Sequence, residues 1–208
     1  MSKKDKIKNI DMDDLKALPD VLDGRHHVIP IVTGGDEVLE EVNVPEILPI
    51  LTLRSSVLFP GAITPITVGR EKSIRLVREV NERNGLLGAV LQRESEVEDP
   101  APDDMYKGQE YVSTEPYFQA SVTPLRDSSP DVKSLEFEAL VDSIRDIALG
   151  IIAISPDMPK EAAFAIKNID SKRGIINFIC SNLELSDEDR QSLLESPGLL
   201  ARARKLLE

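Results

Sequence analysis

The sequence predicts an α+β protein, with a β-rich, barrel-like lobe carrying one packed helix and then an all-α lobe. Two observations predict it. From Ile47 to Arg54 the run "ILPILTLR" alternates and is rich in β-formers, and "LLGAVLQR" follows later as an apolar run of strand length. From about Leu135 onward, apolar residues recur instead at helical spacing. With no tryptophan and only 4 % aromatic residues, both lobes need an aliphatic core.

Residues 1–44 read as a flexible acidic arm. Charge is dense, and "HVIPIV" and "TGGDEVLEEVN" carry no sustained periodicity. The pair His26–His27 lacks Cys, Asp or Glu at ligand spacing, so it reads as solvated and not as a metal site.

The β-rich lobe spans 45–130. After the first strand, "SSVLFPGA" is a loop through Phe59, Pro60 and Gly61, and a second strand is expected from about Ile63 to Val68. Pro65 has no N–H for a ladder, which sends that strand to an edge or a bulge. "REKSIRLVREVNERNG" is a helix. Ile74, Val77 and Val80 form its core stripe with Leu76 on the flank, and Gly85 takes the C′ position. "ESEVEDPAPDDMYKGQE" is an acidic loop with two prolines. "PYFQASVTPLRD" is a strand with Phe118, Ala120 and Val122 on one face.

The helical lobe spans 131–208. "SLEFEALVDSIRDIALGIIAIS" carries Leu140, Ile144, Ile147 and Ile151 at spacings of four, three and four. "PDMP" breaks that helix, and "PKEAAFAIKNI" follows. "DSKRGIINFICSNL" begins at Asp170 or Ser171 as N-cap. "LSDEDRQSLLES" takes Ser186 as N-cap with acidic residues in its first turn, and "SPGLLARARKLLE" is the last helix.

The search for chemistry is mostly negative. A net charge of −12 argues against binding nucleic acid or an anionic membrane surface. No apolar run approaches 18 residues, and the N-terminus has no apolar h-region. There is no G-x-x-x-x-G-K-[ST], G-x-G-x-x-G or G-x-S-x-G. Catalytic, cofactor-binding and metal-binding residues are therefore expected to be absent. The single cysteine, Cys180, lies in an apolar run far from either histidine and reads as a buried hydrophobe in a reducing compartment. Paired carboxylates such as "PDD" are expected by chance in so acidic a chain.

One cluster stands out. Arg70, Glu71, Lys72 and Arg75 open the first helix, and residues 71, 72 and 75 share a face. The ordinary reading is a solvated face. The functional reading is a docking patch of Glu71, Lys72 and Arg75, with Leu58 and Phe59 as nearby apolar anchors, although a core role fits those two as well.

The run "LPILTLRSSVLFPGAITPITVGREKSIRLV" resembles the start of the N-terminal, substrate-recognition domain of the Lon ATP-dependent protease family. The shared pieces are an LP-x-L-x-LR strand, a V-x-FPG loop and a P-I-x-V-GREKSI turn into a helix. "VSTEPYFQASV" and the helical stretch from Ile154 to Ser196 resemble later parts of the same domain. The resemblance implies a PUA-like barrel and a non-catalytic domain that recognises unfolded or damaged polypeptides in bacterial cytoplasmic quality control. It implies partner Lon subunits in a hexamer, with ATP, Mg and a Ser–Lys dyad in the parent enzyme and none in this chain. A stand-alone binding module with a regulatory role is the alternative, and a Ser/Asp hydrolase a remote third. Two departures matter. The chain ends before the family's AAA+ module, and residues after Lys107 that family members carry are missing, which is expected to expose sheet edges.

Overall fold

The structure, a computed structural model, describes residues 43–62, 64–106, 110–125, 134–155 and 160–208. The N-terminal arm through residue 42, with His26–His27, and the lobe boundary near 130 lie outside the described residues. Four strands come first: β1 (Ile47–Leu53), β2 (Gly88–Leu91), β3 (Glu110–Ser113) and β4 (Gln119–Ser121). Helix α1 (Glu71–Glu82) lies between β1 and β2. The second lobe is α2 (Leu135–Ile154), α3 (Lys160–Asn168), α4 (Lys172–Asn182), α5 (Asp187–Leu194) and α6 (Leu199–Leu206). The α+β expectation holds.

The sheet runs β2-β1-β4-β3. β1 and β2 are parallel, with Leu53 opposite Leu91, while β4 pairs antiparallel with both β1 and β3. β1 is central because it is apolar on both faces. Leu48 and Ile50 join Val90, Met105 and Ala120 on one side, and Leu51 and Leu53 join Leu76, Leu91 and Tyr117 on the other. Phe118 and Val122 pack with Ala120, as the alternation predicts. At Gly88 a Cβ would stand 2.7 Å from Ile50 Cδ1, so a larger residue there would require the end of the Ile50 side chain to shift.

α1 covers the second face through Leu76, 1 % exposed, with Val77 and Val80 beside it. Leu76 is thus the centre of the stripe and not its flank, while Ile74 is only partly buried. The helix ends one residue earlier than expected. Asn84, at φ 47°, takes the left-handed C′ position, and the Gly85 N–H donates to the Val80 carbonyl at 2.9 Å, a Schellman closure.

The expected strand from Ile63 to Val68 does not form. Residues 64–69 join no ladder, and Ile63 is outside the described residues. Their apolar alternation is real, but strand formation needs a partner at hydrogen-bonding distance. β3 starts at Glu110, the end of the expected acidic loop, and takes Val112 and Ser113 from the stretch that resembles one later strand, so that stretch holds parts of two strands.

Connectivity curls the sheet. Gln92 and Met105 form an antiparallel bridge, and the Tyr106 N–H donates to the Leu91 carbonyl at 3.0 Å, so residues 104–106 flank the outer side of β2. From there to β3, at the opposite edge, is four inter-strand spacings, about 19 Å in a flat sheet. Only residues 107–109 connect them, four Cα steps spanning at most about 14 Å. The two edges must therefore bend toward each other, which gives the barrel-like curvature expected, without pairing them among the described residues.

In the helical lobe, side chains of Ser134, Ser171 and Ser186 accept the N-terminal N–H groups of Phe137, Gly174 and Asp189. The core stripe of α2 is Phe137, Val141 and Ile144, continued by Ala148 and Ile152. Of the predicted stripe, Ile144 is central and Leu140 flanks it, but Ile147 and Ile151 are 52 % and 38 % exposed. The second half of α2, "IALGIIAI", is apolar all round, so two stripes fit its sequence equally well.

The lobes meet at the FPG loop. Phe59, Pro60, Gly61 and Ala62 form a type II turn, with Gly61 at φ 80° and the Ala62 N–H donating to the Phe59 carbonyl at 3.1 Å. The turn drives Phe59, 2 % exposed, into the helical core. There the Asn177 amide Nδ2 donates to the Pro60 carbonyl at 3.1 Å.

A candidate docking groove at the start of the first helix

Two adjoining grooves surround the start of α1. The smaller, about 240 Å³, is lined by Ile50, Thr52, Lys72, Asp99, Tyr117 and Phe118, among others. The larger, about 790 Å³, runs between residues 51–56 and the unladdered segment 65–70. Arg70 lines both.

Arg70 is the N-cap residue of α1 but caps nothing with its side chain. Its guanidinium reaches across instead, donating to Thr52 Oγ1 at 2.8 Å, Gln92 Oε1 at 2.6 Å and the Val97 carbonyl at 3.0 Å. It thus ties the helix start to β1, to the end of β2 and to the acidic loop. Burial, and then repulsion from Arg54, lower its pKa.

The predicted patch is partly brought together. Lys72 Nζ donates to Glu115 Oε1 at 3.1 Å and lies 3.8 Å from Asp99. The Glu115 hydrogen bond, reinforced by Asp99, raises the lysine's pKa. Arg75 Nε donates to Glu79 Oε1 at 2.8 Å, and the Tyr117 hydroxyl donates to Glu79 Oε2 at 2.8 Å. The Arg75 bond, then the Tyr117 bond, hold Glu79 below the usual carboxylate range. Glu71 is exposed at the helix start. Both cations of the patch therefore sit on acidic partners of the chain itself.

Neither Leu58 nor Phe59 lines the two grooves. Leu58 is partly buried against the sheet cluster, and Phe59 is in the helical core. The type II turn aims Phe59 inward, whereas Leu58 keeps part of its surface exposed. Sequence reasoning missed Glu79, Asp99, Glu115 and Tyr117. The i,i+4 spacing of Arg75 and Glu79 could have found one of them; the rest are brought in by tertiary structure.

Cys180 is fully buried, and burial pushes its thiol up to about 12, leaving it inert. Lys205 Nζ donates to Ser192 Oγ at the exposed end of α6. Among the described residues no three His, Cys, Asp or Glu side chains gather to hold a metal ion, and no helix is long and apolar enough to cross a membrane.

The family model described as the ATP-dependent protease La (LON) substrate-binding domain matches residues 47–108 and 107–208. Lon protease of Flavobacterium johnsoniae is 40 % identical over 217 aligned residues, covering 89 % of this chain and 26 % of the relative. Lon protease of Cytophaga hutchinsonii is 34 % identical over 87 % of this chain and 26 % of its own length. The crystal structure of a Lon N-terminal domain protein from Xanthomonas campestris covers 77 % of this chain and 96 % of its own, at 18 % identity and a TM-score of 0.47. The chain thus spans about a quarter of the length of the curated relatives it matches. With the family model matched across nearly all of 47–208, the chain belongs to the Lon substrate-binding domain family.

Proposed function

We propose that the chain is the polypeptide-recognition domain of a Lon-type ATP-dependent serine protease, taking unfolded or damaged proteins in the bacterial cytoplasm as part of quality control. The family match carries the reading. ATP, Mg and a Ser–Lys dyad belong to the parent enzyme, outside this chain, and the domain supports assembly with other Lon subunits into a hexamer.

Glu71, Lys72 and Arg75 form part of the docking face. The supporting observation is that Glu71 and Lys72 line a groove of about 240 Å³ together with Ile50 and Phe118, and that Arg75 is an exposed cation on the same helix. Weak, exchangeable ion pairs over an apolar groove suit a domain that accepts many sequences. The test is binding of reduced, unfolded casein to the wild-type chain and to the Glu71→Ala/Lys72→Ala/Arg75→Ala variant. Weaker binding with an unchanged melt supports the docking role; unchanged binding reduces the patch to a solvated face.

A further inference from the structure

We propose that the exposed face of α2 is a self-association seam, on which a second copy of this chain packs antiparallel about a two-fold axis. The pairing is read from this chain alone and is independent of the α1 grooves, which no α2 residue lines.

The second half of α2 is apolar all round, and a helix of that kind is ordinarily covered on every side. Its stripe of Phe137, Val141 and Ile144 enters the helical core. A second face does not. Ile154 is 83 % exposed, Ile147 52 % and Ile151 38 %, with Ser143 and Gly150 exposed among them. Ser143, Ile147, Gly150 and Ile154 follow at steps of four, three and four. At about 3.6 residues per turn these steps draw one straight stripe, the a/d pattern of a helix–helix seam. Asp142 and Asp146 are exposed at its rim, where charges keep their water.

The sizes along the stripe decide what fits it. They alternate small, large, small, large. Set antiparallel against itself, the stripe places Ile147 on Gly150 and Ile154 on Ser143 of the second copy, and the converse across the axis. Each layer then joins one large and one small residue. A parallel pair would set Gly150 on Gly150 and Ser143 on Ser143 and leave voids. Gly150 is the notch: among the described residues, no atom comes within 4 Å of where its Cβ would stand. Ser143 can be covered because its Oγ already donates to the Ala139 carbonyl at 2.8 Å. An exposed isoleucine side chain offers about 60–120 Å² of apolar surface. Two stripes thus cover a few hundred Å², under the roughly 1,200 Å² of a stable interface, so the free chains pair weakly and reversibly. Tethering in an assembly of subunits, a step that rests on the function proposed above, would populate the pair through an effective concentration of about 1 mM. The contact is isologous and joins copies two by two, unlike the head-to-tail contacts that close a ring.

The test is sedimentation of the full chain from about 10 μM to about 1 mM, beside the Gly150→Glu variant. Glutamate replaces a helix-interior glycine that has open space around it, so the variant should melt no lower than wild type. The wild-type mass is expected to rise toward that of a dimer, and Gly150→Glu to weaken the association at least tenfold. Orientation is read by oxidising a mixture of the Ser143→Cys and Ile154→Cys variants and weighing the cross-linked products. The mixed cross-link should exceed either self cross-link at least fivefold. In an antiparallel pair, position 143 lies 11 residues, about 16 Å, along the axis from its own counterpart, beyond disulfide reach. Raising salt from about 0.05 M to about 0.5 M should leave the apolar pairing intact while weakening any docking on the cations of α1, so the two readings fail separately. A chain that stays monomeric to 1 mM, its seam bare or covered by another part of the chain, would overturn the proposal. So would a Gly150→Glu variant that associates like wild type, or self cross-links as abundant as the mixed one.

Discussion

The side-chain amide of Asn177 donates to the carbonyl of Pro60, 117 positions earlier in the chain, and its oxygen accepts from Arg202 Nη1 at 2.9 Å. Arg202 is 2 % exposed and also donates through Nε to the Leu193 carbonyl at 3.0 Å. One buried amide thus links the turn of the β-rich lobe to three helices. Replacing it by alanine removes both the bond to the exposed Pro60's carbonyl and the acceptor of the buried Arg202 guanidinium. Asn177→Ala is expected to lower stability by about 1–3 kcal/mol, the cost of a lost buried hydrogen bond to a charged group. Urea denaturation checks it. A double-mutant cycle with Arg202→Met should be strongly non-additive, because the residues share one network.

Phe59 makes a second prediction about the same junction. Its ring fills the helical core although its backbone belongs to the β-lobe loop. Phe59→Ala should cost about 3–5 kcal/mol, as for other buried aromatic truncations. Unfolding followed by tyrosine absorbance, which reports the β-rich lobe through Tyr106, Tyr111 and Tyr117, should then separate from the helical signal in far-UV circular dichroism. Gly61→Ala, at φ 80°, should cost about 1–2 kcal/mol from left-handed strain alone. Coincident, undiminished transitions in the Phe59 variant would show that the loop is not the junction.

The elements that could be read in advance are those whose local pattern and tertiary role agree. β1 alternates and is buried, α1 opens after a glycine, and Ser171 and Ser186 cap as their spacing predicts. Failures occur where the deciding partner is remote. Residues 64–69 have strand-like alternation but no neighbouring strand, while the short, polar β3 becomes a strand only because β4 lies beside it. The α2 stripe was misplaced because its second half is apolar on every side. In the groove, Lys72 and Arg75 were legible as a charged face. Glu115, 43 positions from Lys72, carries no local signal that it will neutralise one of them.

Cys180 should be silent to thiol reagents in the folded chain. Its side chain is fully buried, and its thiol is pushed up to about 12, so almost no thiolate exists near neutrality. Iodoacetamide at pH 8 is expected to leave the native chain unmodified and to label it fully in 8 M urea, read by mass spectrometry. Rapid native labelling would contradict the packing of α4.

The Arg75–Glu79–Tyr117 chain sets the pH response of α1. Glu79 titrates below its ordinary 4.5, so its stabilising contribution is present above that pH and is lost as pH falls through the lower folded value. Tyr117 titrates above its ordinary 10.0, first because it donates to Glu79, so its contribution is present below pH 10 and is lost at higher pH. Stability should thus fall at both ends, below about pH 4.5 and above about pH 10. In Glu79→Gln both declines should flatten. Urea midpoints measured from pH 3 to 11 check this, and an unaltered profile in the variant would remove Glu79 as its source.

The internal partners of Lys72 and Arg75 give the docking reading a prediction of opposite signs. Glu115 accepts from Lys72 at 3.1 Å, so an incoming polypeptide must compete with that carboxylate for the ammonium. Lys72→Ala should therefore weaken binding of unfolded casein, whereas Glu115→Gln should strengthen it by releasing the lysine. Both groups are exposed, so neither change should move the melting temperature by more than about 2 °C. Both effects should grow as salt falls from 0.15 M toward 0.01 M, where the Debye length rises from about 8 Å to about 30 Å. A solvated face predicts no change in either variant. A face that only supports folding predicts loss in both, with lowered melts. Opposite changes in binding at constant melting temperature are expected only if Lys72 itself meets the polypeptide.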